Sequence, residues 1–140
     1  MGYTGQCSCG AVTGRISGEP VLVRHCWCRQ CQQIACGSAT TNAIFQTGDV
    51  ELTGALTDTV YVAASGNRLT RSHCAACGTQ VAAHSSARPQ FRVLRLGFID
   101  SPHDLRPSQV VWTAEAPAWA VIDPALERHQ GQPPAPVSQN

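Results

Sequence analysis

The stretch Cys-Ala-Ala-Cys-Gly at residues 74–78 constrains the fold of this chain more than any other part of its sequence. Two cysteines separated by two residues can bind one metal ion from a single tight turn, and Gly78 tolerates the positive φ that such a turn needs. Zinc takes four ligands in a tetrahedron, so this pair needs two more. The pair Cys7 and Cys9, near the start of the chain, can supply them from a neighbouring loop.

A second cysteine group lies between these two pairs. It is the triplet Cys26, Cys28 and Cys31, which brings the clustered thiols to seven, one fewer than two complete tetrahedra require. Either Cys36 or His25 completes the second site, or that site keeps one position for water or substrate. A closed four-cysteine site is typical of structural zinc, whereas three protein ligands and an open position are typical of catalytic zinc.

The expected compartment decides how the eight cysteines are interpreted. The N-terminal residues show no basic segment followed by an apolar one, so no export is predicted and a cytoplasmic location is expected. Paired thiols in a reducing compartment are metal ligands more often than disulfides. The alternative, that the cysteines are buried or disulfide-linked, stays open from the sequence alone.

Composition excludes several classes of partner. The chain has 140 residues and a net charge of +1, so no charge signature favours nucleic acid or an anionic membrane. No segment approaches the roughly 20 apolar residues of a membrane span. Nothing in the sequence indicates an oligomeric state.

The hydrophobic pattern predicts a mainly β protein. Short segments rich in Val, Ile, Thr and aromatic residues recur between Gly, Pro, Asn and Asp: Ala11–Ser17, Val21–His25, Ala39–Phe45, Val50–Thr53, Val60–Ala64, Leu69–His73 and Phe91–Ile99. One short helical turn is predicted over Cys28–Ala35. We expect a single zinc-binding β domain over residues 1–123 and a flexible Pro/Gln-rich tail over residues 124–140.

Several motifs together resemble one known family, that of the glutathione-dependent formaldehyde-activating enzymes, which is also called centromere-protein-V-like. The motifs are Cys-x-Cys-Gly-Ala-Val (7–12), Gly-Glu-Pro (18–20), His-Cys-x-Cys-x-x-Cys (25–31), Cys-x-x-Cys-Gly-Thr (74–79), Leu-Gly-x-x-Asp-x-Pro (96–102) and Pro-x-Trp (117–119). The resemblance extends from about residue 5 to about residue 123. It is less close at Trp27 and Cys36, where family members tend to carry smaller or more polar residues.

The resemblance implies a β-tent fold of twisted antiparallel sheets stapled by zinc. It implies two zinc ions per chain, a structural one held by Cys7, Cys9, Cys74 and Cys77, and a second one held by the catalytic triplet Cys26, Cys28 and Cys31. The implied activity is that of a carbon–sulfur lyase, in which glutathione condenses with formaldehyde to give S-(hydroxymethyl)glutathione. Glutathione, or another small thiol, is therefore the expected partner.

Two other functions fit the same residues. The chain fits a non-catalytic β binding module in which both zinc ions are structural, or a redox protein that uses Cys36 with the triplet. For the enzyme, Arg24, Arg29 and Arg71 lie near the ligand cysteines in sequence, and we expect them to be candidates for binding the carboxylates of glutathione.

Overall fold

Short strands joined by tight turns account for most of the chain, as the spacing of turn residues predicts. The structure, a computed structural model, describes residues 2–137. Its strands are β1 (Tyr3–Gln6), β2 (Thr13–Ile16), β3 (Leu22–Cys26), β4 (Thr40–Gln46), β5 (Val50–Thr53), β6 (Leu56–Val62), β7 (Arg68–Cys74), β8 (Gln80–Ser85), β9 (Phe91–Arg95), β10 (Gln109–Val111) and β11 (Glu127–Arg128). The mainly β class is confirmed.

These strands form two sheets. The smaller sheet has the order β1-β2-β5, and the larger has the order β11-β10-β3-β4-β9-β8-β7-β6. Pairing is antiparallel except that β10 runs parallel to both β3 and β11. The antiparallel order from β3 to β7 places the ends of β3, β9 and β7 at the same edge as the starts of β4 and β8. This shared edge, called the cysteine edge below, receives both cysteine groups.

One α-helix, α1 (Arg29–Ile34), follows the first two cysteines of the triplet. Cys28 is its N-cap, and the sulfur of Cys28 accepts a hydrogen bond from the Cys31 backbone N–H at 3.3 Å. The helix ends before Cys36, whose φ of 56° lies in the left-handed region. The predicted helical turn is therefore confirmed. The described chain also holds three short 3₁₀ helices at Thr47–Asp49, Leu96–Phe98 and Thr113–Glu115.

The two sheets share one apolar core. It includes Val12 and Ile16 from the first hairpin, Phe45 and Leu94 from the large sheet, and Phe98. Phe98 fits because Gly5 and Gly14, which are paired across β1 and β2, leave the space that a Cβ at either position would occupy. Cys7 and Cys74 are also in this core, at 1% and 0% exposure, so the first cysteine cluster is anchored in the packed interior.

The segment after residue 123 differs from the flexible tail that its composition suggests. Glu127–Arg128 forms β11 on the edge of β10, and the backbone N–H groups of Trp112 and Thr113 bond to the carbonyls of Gly131 and His129. Farther on, Pro133 is buried and accepts a hydrogen bond from Arg88 Nη2 at 3.1 Å. The Pro and Gln content concealed these backbone pairings, which depend on the neighbouring strand. The domain boundary at residue 123 stays a prediction, and residues 138–140 lie outside the described chain.

Within residues 2–137, no helix is long and apolar enough to cross a membrane.

Candidate metal centres

The first cysteine group joins two turns that are far apart in sequence. The sulfur of Cys9 lies 3.6 Å from that of Cys7 and 3.8 Å from that of Cys74. Together with Cys77, these sulfurs all lie within 4.8 Å of one another. Four sulfurs at this separation could hold one metal ion. The Cys7–Cys9 pair and the Cys74–Cys77 pair therefore meet, as the sequence analysis expected.

Backbone N–H groups of both turns point at the sulfurs. Cys74 Sγ accepts hydrogen bonds from the N–H groups of Ala76 and Cys77, both at 3.4 Å, and Cys7 Sγ accepts one from Val12 at 3.2 Å. The turn after Cys74 closes because Gly78 has a φ of +77°, the positive value that its place in the motif predicts. Such N–H donors stabilise sulfur in its thiolate form, which is the form that binds metal.

Side-chain hydroxyls link the two turns and act on Cys77. Thr79 Oγ1 accepts from the Ser8 backbone N–H at 3.2 Å and lies 3.1 Å from Cys77 Sγ. Hydrogen bonds from Ser8 and Thr79 lower the pKa of the Cys77 thiol to about 4. The cluster therefore favours an anionic sulfur even at its solvent-facing corner.

The second group consists of Cys26, Cys28 and Cys31, whose sulfurs also lie within 4.8 Å of one another. Cys26 ends β3, Cys28 caps α1 and Cys31 lies in its first turn, so one strand–helix junction supplies all three. Among the described residues this group has three members. It includes neither His25, whose Nδ1 lies 3.0 Å from the hydroxyl of Thr41, nor Cys36, which is exposed.

Charge within the triplet is unevenly distributed. Hydrogen bonds from Cys26 and Cys28 lower the pKa of the Cys31 thiol to about 2, and a hydrogen bond from Thr40 and the positive charge of Arg95 act in the same direction. The same sulfur–sulfur contacts, together with burial, raise the pKa of the Cys26 thiol. Three close sulfurs cannot all ionise without a compensating cation, so the geometry favours a bound metal ion.

A loop from the C-terminal part of the chain packs against α1 and Trp27, beside the triplet. Gln32 in α1 donates from Nε2 to the carbonyls of Trp27 and Glu115, at 2.8 and 2.9 Å. The Glu115 carboxylate accepts from the Arg29 backbone N–H, at the start of the helix. Trp27 is 5% exposed, and its ring meets the edge of Trp119 at a centroid distance of 6.3 Å. The side chain between Cys26 and Cys28 is therefore buried, whereas Trp119 is 68% exposed.

Of the three arginines singled out from the sequence, Arg24 is the one whose positive charge acts on the triplet. Its guanidinium is half-buried and interacts with the sulfurs of Cys26 and Cys31. Sequence spacing did not identify Arg95, which interacts with all three sulfurs from a strand about 65 residues farther along the chain. Its place was detectable only from strand pairing, because β4 pairs with β3 on one side and with β9 on the other.

Comparison with known proteins agrees with the motifs. The family model described as glutathione-dependent formaldehyde-activating enzyme matches residues 2–115. No curated protein matches. Among solved structures, a crystal structure of a Rhodobacter sphaeroides protein superposes with a TM-score of 0.55 at 20% identity, covering 71% of this chain and 90% of that one.

At this identity the solved structure shows a shared fold. The family model, in contrast, spans most of the chain and includes all seven clustered cysteines. The chain belongs to the glutathione-dependent formaldehyde-activating enzyme family.

Proposed function

We propose that this protein is a zinc-dependent enzyme of the carbon–sulfur lyase type that joins glutathione, or another small thiol, to formaldehyde or a related carbonyl. One observation carries the proposal: a three-sulfur group with no fourth ligand among the described residues lies at the same sheet edge as a complete four-sulfur group. Membership of the formaldehyde-activating family supports the choice of substrates.

The four-sulfur group fits zinc. A tetrahedron with Zn–S bonds of about 2.3 Å has edges of about 3.8 Å. The sulfur–sulfur distances of 3.6 and 3.8 Å around Cys9 match this value. We assign Cys7, Cys9, Cys74 and Cys77 to a closed structural site that ties the first hairpin to the turn after β7. A clip of this kind between distant segments stabilises the fold, since metal binding and folding are then coupled.

The three-sulfur group fits a metal ion with one position left open. Zinc bound by Cys26, Cys28 and Cys31 would supply a position at which a thiol loses its proton and becomes nucleophilic. In the overall reaction the thiol sulfur forms a bond to the carbonyl carbon, and the carbonyl oxygen takes up the proton. The step involves no oxidation or reduction.

The chain's own residues prepare this position. Thr40 hydrogen-bonds to Cys31, and Arg24 and Arg95 place positive charge beside the sulfurs. These contacts stabilise negative charge on sulfur, which is the charge that a bound thiol adds. Trp27, packed against Trp119, limits solvent access at the turn between the first two ligands.

All eight cysteines are free thiols in the structure. This state accords with the cytoplasmic location that we propose for the protein, where thiols stay reduced.

The proposed activity is testable by exchange NMR, because the uncatalysed reaction of glutathione with formaldehyde is already quick and end-point assays are uninformative. The interconversion rate of glutathione and S-(hydroxymethyl)glutathione at equilibrium should rise in proportion to zinc-loaded enzyme. Cys28→Ser is the matched control, and in its presence the interconversion rate should equal the uncatalysed rate. If wild-type protein that carries both zinc ions gives the same rate as Cys28→Ser, the protein is instead a non-catalytic binding module.

A further inference from the structure

An open cleft of about 350 Å³ lies at the cysteine edge, between the two cysteine groups. It is lined where strands begin or end, by Thr40 at the start of β4, Gln80 at the start of β8 and Arg95 at the end of β9. Thr40 is paired with Cys26 of the triplet across β3 and β4, and Thr79, also in the lining, contacts Cys77 of the other group. The cleft is therefore adjacent to the proposed open zinc position.

Arg95 belongs to a polar row that crosses the large sheet. Arg24 is paired with Asn42, and Asn42 with Arg95, so the three side chains share one face of the sheet. Cys26, two residues after Arg24, lies on the same face. Strand register thus brings two guanidinium groups to the side of the sheet that carries the triplet.

No carboxylate neutralises these guanidinium groups. Over residues 2–137, the only contact within 4.0 Å between a basic and an acidic side chain is that of His129 with Glu127. Arg71 adds positive charge near Arg95, and Arg88 adds it near Arg24.

The count of charges leaves an excess. A zinc ion with three thiolates and a bound substrate thiolate carries two net negative charges. Arg24, Arg71, Arg88 and Arg95 together carry four positive charges, which leaves an excess of two around this part of the sheet. Such an excess, next to a cleft, attracts a further anionic group.

The cleft also has free hydrogen-bonding capacity. Arg95 is held by a single bond, from Nη1 to Asn42 Oδ1 at 2.6 Å. Its Nε is buried without an acceptor among the described residues, and its Nη2 is neither bonded nor among the buried unpaired atoms of that part of the chain. The side-chain oxygen of Gln80 is likewise buried without a donor in that part of the chain. The cleft thus offers a guanidinium donor on Arg95 and an amide oxygen acceptor on Gln80, both without a partner. This combination suits a ligand that carries both a carboxylate and an N–H group.

We propose that this cleft is a carboxylate subsite, in which Arg95 binds the carboxylate of the thiol whose sulfur occupies the open position at Cys26, Cys28 and Cys31. The inference rests on the proposed function and narrows it: the substrate is a small acidic thiol, such as a peptide thiol, and neutral thiols are disfavoured. Arg95 is then a specificity-determining residue. Arg24 on the same face balances the charge of the triplet.

Two thiols of matched length test the subsite. The dissociation constants of 3-mercaptopropionate and 3-mercaptopropan-1-ol are measured by calorimetry on zinc-loaded protein. Wild type should bind the carboxylate at least about tenfold more tightly, the change expected for one charge-assisted contact. Arg95→Gln should lower this preference to about threefold or less, because both thiols lose the positive charge beside the sulfurs but only the carboxylate also loses a direct contact. Equal binding of the two thiols by wild type, or a full preference in Arg95→Gln, overturns the proposal.

Two further variants serve as a charge control and as a replacement for Arg95→Gln. Arg92→Gln removes a positive charge from the same strand but from the opposite face, where Arg92 is paired with Phe45, and it should keep the preference. If Arg95→Gln does not fold, Arg95→Lys decides the question, since it keeps the charge that the sulfurs need but lacks the planar fork. Its preference should fall at least about threefold, and an unchanged preference contradicts the subsite.

A titration with propionate separates the subsite from the proposed function, because propionate has no thiol. The Arg95 Nε–H signal, assigned by its absence from Arg95→Gln, should shift saturably. If neither thiol binds but this signal shifts, the thiol chemistry is wrong and the subsite stands. If the signal does not shift, the subsite is wrong whether or not thiols bind.

Discussion

The two cysteine groups share one sheet edge but are assembled in different ways. The four-cysteine group joins turns that are 65 residues apart between Cys9 and Cys74, and Cys7 and Cys74 reach into the apolar core. The three-cysteine group comes from six consecutive residues at the junction of β3 and α1. We expect that a metal site linking distant segments must form for the chain to fold, whereas a local site can lose its metal while the surrounding strands persist. We therefore attribute stability to the first site and chemistry to the second.

The largest expected effect follows from breaking the four-cysteine group. Cys74→Ser removes a buried ligand, and structural zinc in small domains contributes about 10–16 kcal/mol at neutral pH. Because this is comparable to the whole stability of a domain, the variant should fail to fold. Circular dichroism and the dispersion of NMR signals measure this. Soluble Cys74→Ser protein with unaltered spectra would contradict the assignment.

Removing one cysteine of the three-cysteine group should not change the fold. Cys28→Ser replaces the N-cap of α1 with a residue that is itself a preferred N-cap, so the helix keeps its first hydrogen bond. The zinc content should fall from two ions to one per chain, and the NMR spectrum should change only near β3 and α1. Global unfolding of this variant would mean that the triplet, too, is structural.

A smaller effect is expected at Gly78, in the turn that carries Cys74 and Cys77 of the four-cysteine group. A Cβ at this position meets no atom within 4 Å, so Gly78→Ala tests backbone conformation alone. With φ at +77°, alanine should destabilise the protein by about 1–2 kcal/mol. Urea unfolding measures the difference. Gly48→Ala is the control, since Gly48 also has open space and lacks a positive φ, and its effect should stay within about 0.5 kcal/mol.

The smallest effect is expected at Cys36. This cysteine is exposed and lies outside both sulfur groups of the described chain, so Cys36→Ser should retain two zinc ions and full thiol binding. Elemental mass spectrometry and calorimetry measure both. Loss of one zinc ion would show that Cys36 completes the second site, which would favour the non-catalytic module.

Residue spacing in the sequence predicts those features of the fold that depend on short stretches of chain. The grouping of seven cysteines, the helix beginning after Cys28 and the positive φ of Gly78 all depend on residues within a few positions of each other or on the ligand number of the metal. Strands β1, β8, β10 and β11 were not predicted. β8 is rich in alanine and β10 has three residues, and both are held by their neighbours in the sheet rather than by their own β propensity.

The surroundings of the triplet depend on topology. Arg95 lies in the same row as Arg24, with Asn42 between them, only because β4 pairs with β3 on one side and with β9 on the other. The sequence shows Arg92 and Arg95 out of phase with each other, and the structure places them on opposite faces, opposite Phe45 and Asn42. Which face carries the triplet cannot be read from β9 itself. The cleft and its arginine were therefore outside the reach of sequence reasoning.

The most direct test of the account is the zinc content of the wild-type protein before and after dialysis against a chelator of moderate affinity. The account predicts two zinc ions per chain at first and one afterwards, with the fold unchanged, because the open site exchanges its metal and the closed site does not. Retention of both ions, or loss of both together with unfolding, would contradict the division into one structural and one open site.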